Sequence, residues 1–460
     1  MLIRPCEFVW WWHSIAVAVQ VQAKLHARRA RRWQPWRHYA QRRGIVQGAT
    51  AVPCVRQASS RTARPHVQIE RNGLIAARWA DCAPGSMQST AICAALMPAM
   101  RAVPVRSGTG TALVAYHAGS SQPACLQLRP GAGLVMVTDV NAGAMVTWGR
   151  RRGDYSASGR RLRVVLGTGE SYKGFLYLRL ILRAMLRAGI GRDAVVLSLG
   201  GGVVGDVAGL AAACYMRGVN IVQHPTTLLA CVDSAMGGKV GINTGAFKNA
   251  VGCIHPPRYM VAQMGRVAAL PLRQWRAGLA EATKMGACLD RDFYCWMAKH
   301  AHDVARRAAS AVARMVSRCA ELKSYVTARD DVEAGARACL NLGHTIGHAV
   351  ESGMRYRHWL HGEAVSLGIV LMAHASHRLG LLPRADAAQI VRMLASLRLP
   401  VRRPLGVDAA RLADAFSADK KNRGESVCVV LLRGIGDCVA RDVPRDAMLC
   451  AWSDAVHRHS

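Results

Sequence analysis

Aromatic residues make up only 6% of this 460-residue chain, and acids are scarce: 28 Asp+Glu stand against 61 Lys+Arg, a formal charge of +33. Such a balance raises nucleic acid as a partner, because Lys and Arg release counterions from phosphate backbones. The excess is spread without one long cationic run, however, and the aromatics are too few to line a base-stacking groove. No nucleic-acid role is expected. No C-x-x-C pair occurs among the 15 cysteines; their number is odd and the chain is far longer than a small disulfide scaffold, which fits a reducing cytoplasm. Long hydrophobic runs are also missing. The stretch FVWWWHSIAVAV (8–19) is too short and interrupted to span a membrane, and no clear cleavage site supports a secretory signal. A soluble, cytoplasmic protein is expected, with length for two to three domains and a cleft between them.

Residues 1–108 hold 16 of the cationic residues and three of the acids. They show no sustained period of 2 or 3.6 and read as a basic extension, either disordered or outside the working protein, with a transit-like composition as the other reading and Met100 as an alternative start. From 109 to 260, β-branched runs alternate with helical stretches: GLVMVTD (133–139), LRVVLG (162–167), AVVLSL (194–199) and GVNIVQHPTT (218–227) against FLYLRLILRAMLRAG (175–189). That rhythm predicts βαβ units and a parallel sheet. From 261 to 460 glycine-bounded helical patterns dominate, with a strand-like SVCVVLLRGIGD (426–437) near the end. The expected architecture is α/β followed by mostly α.

Within LSLGGGVVGD (197–206), Gly200, Gly202 and Gly205 satisfy G-x-G-x-x-G between a predicted strand and a predicted helix over about 203–215. Glycine lets the backbone approach a pyrophosphate, and the helix N-terminus supplies unpaired N–H donors. In the usual fingerprint this turn follows the first strand of its domain and an acid follows about 20 residues later. Neither holds here, so the loop alone leaves a dinucleotide cradle and a plain tight turn both open.

LNLGHTIGHAVE (340–351) sets His344 and His348 at i and i+4, on one helix face; His361 follows in WLHGEAV, and Glu281 lies far upstream in AGLAEATKMG, one turn before Lys284. A catalytic divalent site needs about three N/O ligands and an open position. Glu281 with two of these histidines supplies them, although each histidine by itself reads more readily as a surface or satisfied core residue, as His374 and His377 do. H-x-x-x-H without an internal Glu is not the metalloprotease signature. In MGGKVGINTGAFKN (236–249), Lys239, Asn243, Lys248 and Asn249 sit among glycines, and Lys323 and Arg337 add cations near the histidine helix. A solvated face explains any one of these; the set points to an acidic, phosphate- or carboxylate-bearing substrate.

Taken in order, GGGVVGDVAGLAAACYMRGV, PTTLLACVDSAMGGKVGIN, FKNAVG, GLAEATKMG, NLGHTIGHAVE and LHGEAV resemble the 3-dehydroquinate synthase family, over about 109–440 and most specifically over 200–365. The resemblance implies an α/β N-terminal nucleotide-binding domain that holds NAD, a mostly α-helical C-terminal metal-binding domain, and an active site between them. It implies conversion of 3-deoxy-D-arabino-heptulosonate 7-phosphate, a phosphorylated sugar acid, to 3-dehydroquinate and phosphate. Transient oxidation makes a neighbouring C–H acidic enough for β-elimination; re-reduction, ring opening and aldol closure follow. By resemblance, Asp139, Asn141, Glu170, Lys173, Gly201, Gly202, Asp206, Thr226, Thr227, Lys239 and Lys248 contact NAD. Glu281, His344 and His361 match the ligands of one divalent ion, zinc or cobalt, and His348 matches a residue assisting proton transfer. Asp233, Lys239, Asn249, Lys323, Arg337 and Asn341 match substrate contacts, Glu333 an acid or base, and Lys420 of ADKKNRG (418–424) a phosphate contact. Arg217 resembles an arginine that reaches a neighbouring subunit, which implies a homodimer.

Three departures stand out. Phe247 occupies the place of a usual glycine, which would bend the phosphate loop if that glycine had positive φ. MGRVAALP (264–271) lacks the threonine usual before Leu-Pro, and Met285 replaces an aromatic or polar residue. A related cyclase making an inositol-like product would not need to grip a carboxylate, a polyol dehydrogenase would release NADH, and a basic binding protein would keep only the fold.

Overall fold

Runs of Val, Leu and Ile between glycine-rich turns form the strands of one eight-stranded sheet. The structure, a computed structural model, describes residues 68–71, 100–107, 110–117, 132–144, 160–245, 247–330, 336–354, 359–402 and 426–457. The chain divides into Met1–Arg64 and Pro65–Ser460, and every described residue belongs to the second unit. Its first ten strands are β1 (Gln68–Arg71), β2 (Met100–Ser107), β3 (Gly110–His117), β4 (Leu134–Asp139), β5 (Arg161–Leu166), β6 (Val195–Gly200), β7 (Asn220–Pro225), β8 (Lys239–Thr244), β9 (Phe247–Ile254) and β10 (Tyr259–Gln263). The order in the large sheet is β1-β5-β4-β6-β7-β10-β3-β2, and β8 and β9 make a separate hairpin. The six inner strands run parallel, as the βαβ rhythm predicts; only the two edge strands are antiparallel.

Two expected boundaries shift. The expected boundary at 108 comes between β2 and β3, which pair with each other, and β1 joins the opposite edge, so the sheet takes two strands from the stretch read as an extension. Pro104 lies in β2, and proline is tolerated at an edge, where its missing N–H breaks no inner ladder. Residues 1–67, 72–99 and 108 of that stretch lie outside the described residues. At the other boundary, β10 continues past 260 to Gln263 before the helices begin.

The chain leaves β4 toward β5 on one side and β6 toward β7 on the other, so the carboxyl ends of β4 and β6 flank a topological switch point. Open α/β sheets bind ligands there. Thr138 pairs with Leu199, which sets Asp139 and Gly200 side by side at that mouth. Helices α1 (Val140–Ala144), α2 (Phe175–Arg187) and α3 (Gly202–Cys214) follow β4, β5 and β6. Leu178, Ile181 and Met185 on the apolar stripe of α2, with Val204, Val207 and Ala211 of α3, pack on Val135, Val137, Leu162, Val164 and Val196 of the sheet.

Beyond β10 come α4 (Met264–Ala268), α5 (Leu272–Leu289), α6 (Arg291–Lys299), α7 (Ala301–Ala305), α8 (Ala309–Thr327), α9 (His344–Gly353), α10 (His361–Arg378), α11 (Arg384–Ser396) and, last, α12 (Arg445–His457). The strand-like segment near the end is a hairpin of β11 (Ser426–Gly434) and β12 (Asp437–Pro444). Helix α10 is the axis of this half, buried almost throughout from Gly362 to Ser376. Its Leu367, Ile369 and Leu371 are at most 1% exposed, and burying each stabilises by about 1.5–3 kcal/mol.

Close approach at two glycines seats α10. A Cβ on Gly362 would lie 1.8 Å from the Ala277 carbonyl oxygen of α5, and one on Gly368 would lie 1.9 Å from the Gly343 oxygen just before α9. Arg273 of α5 adds a two-pronged pair to Glu363, at 2.6 and 2.7 Å, while Glu363 also accepts the Leu360 N–H at 2.8 Å. These contacts bring the starts of α9 and α10 onto the middle of α5, where Glu281 sits.

Candidate active site

Glu281 is wholly buried on α5, and its Oε1 lies 3.6 Å from His344 Nε2 and 3.3 Å from His361 Nε2. His344 and His361 each open their helix, so their rings project from the ends that the glycine contacts fix. The other nitrogen of each ring is engaged. His344 Nδ1 is 3.2 Å from the Leu342 carbonyl, and His361 Nδ1 is 3.0 Å from Glu351 Oε2. Such partners orient each ring and turn its Nε2 toward Glu281.

The donor set fits a divalent cation. Three ligand atoms, one each from Glu281, His344 and His361, lie within 4.8 Å of one another. Neither Glu281 oxygen receives a hydrogen bond of ordinary geometry, although Lys284 Nζ stands 2.5 Å from Oε2. A buried carboxylate left in that state is costly unless further positive charge faces it. A second group, His348, Glu351 and His361, is equally close-set, but its Glu351 is already taken by His361 and by Lys248 Nζ at 2.9 Å. Mixed N/O ligation at the first group suits zinc or cobalt. His348 stays exposed and packs its ring against the imidazoles of His344 and His361, with centroids 5.5 and 5.9 Å away.

Electrostatics prepare these groups. Burial alone would raise the Glu281 carboxyl, but Lys284 and the imidazoles outweigh it and draw it down to about 2. Burial and Lys284 hold His344 down to about 3, a neutral ring. Burial opposes the charge on His361, yet the Glu281 and Glu351 carboxylates raise it to about 9. Burial likewise works against the Lys284 ammonium, and Asp233 and Glu281 hold it above the ordinary lysine range.

From Lys284 a line of alternating charge continues toward the sheet. Asp233 lies on a single π-helical turn, Ala230–Ser234, a widening common at functional sites. It accepts from Lys284 at 3.2 Å and from Lys323, which also reaches the Asp233 carbonyl. Arg337 is buried, donating to the Gly237 carbonyl at 3.3 Å while its own N–H is held by Asp330. Asn341 lies half-buried in the 3-10 turn Ala336–Asn341 that leads to His344. Lys239 is exposed at the start of β8.

The α/β side forms a second polar cluster. Asp139 Oδ1 accepts the N–H groups of Asn141 and Ala142, at 2.9 and 2.8 Å, capping α1. Gly201 precedes α3 and Gly202 opens it, with the unpaired N–H groups of the first turn at the switch point. The Thr226 N–H donates to Gly200 O at 2.9 Å, and Thr227 Oγ1 accepts the Ala230 N–H at 3.2 Å. Lys173 pairs with Asp206 and with Asn249 Oδ1; burial pushes the Asp206 carboxyl up against that lysine's pull. Glu170 accepts from Asn243 at 2.9 Å and lies 4.0 Å from Lys248 Nζ.

Most of the expected residues therefore gather into two linked groups. Arg217 does not: it is exposed on a left-handed turn (φ 66°) beyond the far end of α3, about 20 Å from the glycine turn by helix rise. Glu333 and Lys420 lie outside the described residues. Phe247 carries no left-handed strain: among the described residues of this hairpin the positive φ values fall at Gly245 (φ 59°) and Asn249 (φ 51°), and Phe247 is exposed. Met285 fills a fully buried position in the helical core. Sequence reasoning missed Glu351, although it follows His344 by seven residues and His348 by three, the spacing of one helix face. His377 bonds the Leu382 carbonyl at 3.0 Å, a structural role.

Residues 163–277 match the family model described as 3-dehydroquinate synthase N-terminal, and residues 278–422 match that described as 3-dehydroquinate synthase C-terminal. A 3-dehydroquinate synthase of Halorhodospira halophila is 46% identical over 276 residues, which are 60% of this chain and 78% of that protein. Among solved structures, a 2-epi-5-epi-valiolone synthase from Streptomyces hygroscopicus subsp. jinggangensis, with NAD+ and Zn2+ bound, is 28% identical at a TM-score of 0.68, covering 75% of this chain and 96% of that one. A 2-deoxy-scyllo-inosose synthase complexed with carbaglucose-6-phosphate, NAD+ and Co2+ shares the fold, at 22% identity and a TM-score of 0.68, over 77% of this chain and 99% of that one.

Proposed function

Since the chain belongs to the 3-dehydroquinate synthase family, we propose that it converts 3-deoxy-D-arabino-heptulosonate 7-phosphate to 3-dehydroquinate and phosphate, using NAD and one divalent ion, zinc or cobalt. The observation that carries the reading is the buried Glu281 carboxylate, poorly satisfied and facing the Nε2 atoms of His344 and His361. When bound, the cation supplies Lewis-acid polarisation of a substrate hydroxyl and NAD supplies reversible hydride acceptance.

The chain's own residues do the rest. Glu281, His344 and His361 hold the ion, and the glycine turn with Asp139, Asn141, Glu170, Lys173, Asp206, Thr226, Thr227, Lys239 and Lys248 holds the dinucleotide at the switch point. Lys323 and Arg337 are buried cations suited to gripping a carboxylate and a phosphate, with Lys239, Asn249 and Asn341 as further donors and Lys420 beyond the described residues. Fixing both ends of a flexible sugar acid turns each step into an intramolecular one. Asp233 keeps Lys323 and Lys284 charged and placed between the two groups. His348, exposed beside the ligand imidazoles, is positioned to pass a proton toward departing phosphate, with Glu333 a further acid or base. An inositol-type product would leave the buried pair Lys323 and Arg337 without a carboxylate to hold.

A homodimer follows from Arg217, which is too far from its own glycine turn to serve this site. Exposed Met216, Val251 and Ile254 lie on the same turn and on β9, an apolar surface fit for a second copy. Light scattering should give the mass of two chains, and a monomer would remove this part.

The purified protein, given NAD and the heptulosonate, should release inorganic phosphate, lose that activity to a chelator, regain it with zinc or cobalt, and accumulate no NADH. Chelator-insensitive release or none overturns the reading. A net build-up of NADH would favour a polyol dehydrogenase.

A further inference from the structure

Glu351 stands outside every role assigned so far, yet both of its oxygens are occupied. It is 4% exposed on α9; Oε2 lies 3.0 Å from His361 Nδ1, and Oε1 lies 2.9 Å from Lys248 Nζ. One partner is a metal ligand opening α10. The other comes from β9, on the α/β side, where its Nζ is also 4.0 Å from Glu170. We propose that Glu351 is a positioning residue that fixes the metal ligand His361 and the cofactor-side Lys248 together, and so sets the spacing between cation and dinucleotide. This rests on the function proposed above for the same site.

The physical case lies in what a carboxylate alone can do here. His361 Nδ1–H and the Lys248 ammonium are both donors, so a bridge between them must accept twice, at a fixed separation. Glutamine offers one acceptor and turns an NH2 toward one of the two donors, so it keeps one contact and places two donors face to face. Aspartate keeps both acceptors but is shorter by one methylene, about 1.5 Å. Burial strengthens the effect, because an unmatched donor within such a cluster loses water as well as its partner. Holding Nδ1 also fixes the ring plane, which aims Nε2 at Glu281.

The test measures binding without substrate, so its outcome separates from that of the phosphate-release assay. Cobalt(II) affinity is read by competition with a chromogenic chelator, cobalt coordination by its visible absorption, and NAD affinity by fluorescence titration. Glu351→Gln should weaken cobalt binding about 10–100-fold, the usual effect of losing a ligand's supporting partner, change the cobalt spectrum, and weaken NAD severalfold. Lys248→Met should weaken NAD and disturb cobalt less than Glu351→Gln does, because the Glu351 contact to His361 Nδ1 stays. Glu351→Asp should fall between parent and Gln variant in cobalt affinity, and it replaces the Gln variant if that chain does not fold. A parent-like cobalt affinity and spectrum in Glu351→Gln, or in Glu351→Asp when it serves as the test, overturns the proposal. So does a Glu351→Gln chain whose NAD affinity matches the parent's.

Discussion

Gly362→Ala adds one methyl group where the structure has no room for it. The new Cβ would sit 1.8 Å from the Ala277 carbonyl oxygen, 2.5 Å from its carbon and 2.9 Å from its Cα. All three are main-chain atoms within α5, so no side chain can turn aside. Atoms of this kind do not approach closer than 3.0 Å, and the start of α10 must therefore retreat by about 1.2 Å or more in a close-packed interior. His361 is the adjacent residue and moves with it. Metal–ligand distances tolerate about 0.2 Å, so the shift is several times what the ion can absorb. Overpacking of this type costs about 1–3 kcal/mol of stability. The larger expected effect is on the site: cobalt or zinc affinity falls at least about tenfold, or about 1.4 kcal/mol, and phosphate release falls with it. NAD binding, which depends on the switch point, changes little. Chelator competition measures the metal and urea unfolding measures stability. The control is Gly434→Ala, where a Cβ would meet nothing within 4 Å. If Gly362→Ala binds metal within twofold of the parent and keeps its activity, the account of how helix packing places His361 is wrong.

Three further outcomes follow from the same contacts. Glu281→Gln should lower metal affinity by at least about 100-fold, since removing a ligand exceeds the loss of its support, and parent-like binding in the chelator assay would refute its ligand role. Asp233→Asn leaves Lys284 and Lys323, 1% and 6% exposed, without their shared anion; stability should fall by about 3–5 kcal/mol in urea unfolding, and a loss under 1 kcal/mol would show that these charges are satisfied elsewhere. Burial, assisted by Arg266, holds His224 down to about 4 from an ordinary 6.5. Between those values the unfolded chain binds a proton that the folded chain excludes, so stability is intact above pH 6.5 and falls by up to about 3 kcal/mol as pH drops toward 4. His224→Gln should lose that part of the pH dependence, and unchanged pH slopes in parallel urea titrations would contradict it.

How much of this was readable beforehand depends on the range over which each signal acts. The parallel sheet was legible because strand and helix periods are local, and β4 to β7 match the four runs read as strands; β10 (YMVAQ), only five residues long, was not read. β2 was not: Pro104 and its arginines erase the period, and only pairing with β3 makes the segment a strand. The glycine loop was ambiguous for a related reason. Its fingerprint expects an acid downstream on the next strand, whereas the acid proposed for that role, Asp139, lies upstream and stands beside Gly200 only because β4 and β6 are neighbours in the sheet. Strand order is a property of the whole fold, and no local window contains it.

The metal group shows the same limit from the other side. Chemistry was legible in residue type, since a carboxylate and two imidazoles in a helical context suggest ligands wherever they fall. The support was not, because Glu351, Lys284 and Gly362 are ordinary helix residues until their partners are known. Glu351 sat on the same face as His344 and His348 and yet carried no signal of its own, for a glutamate seven residues after a histidine is more often a solvated charge. What distinguishes it is burial together with two donors, one from α10 and one from β9. Sites of this kind should be sought by asking which buried carboxylate accepts twice, since that demand ties a ligand to its surroundings more tightly than residue type can.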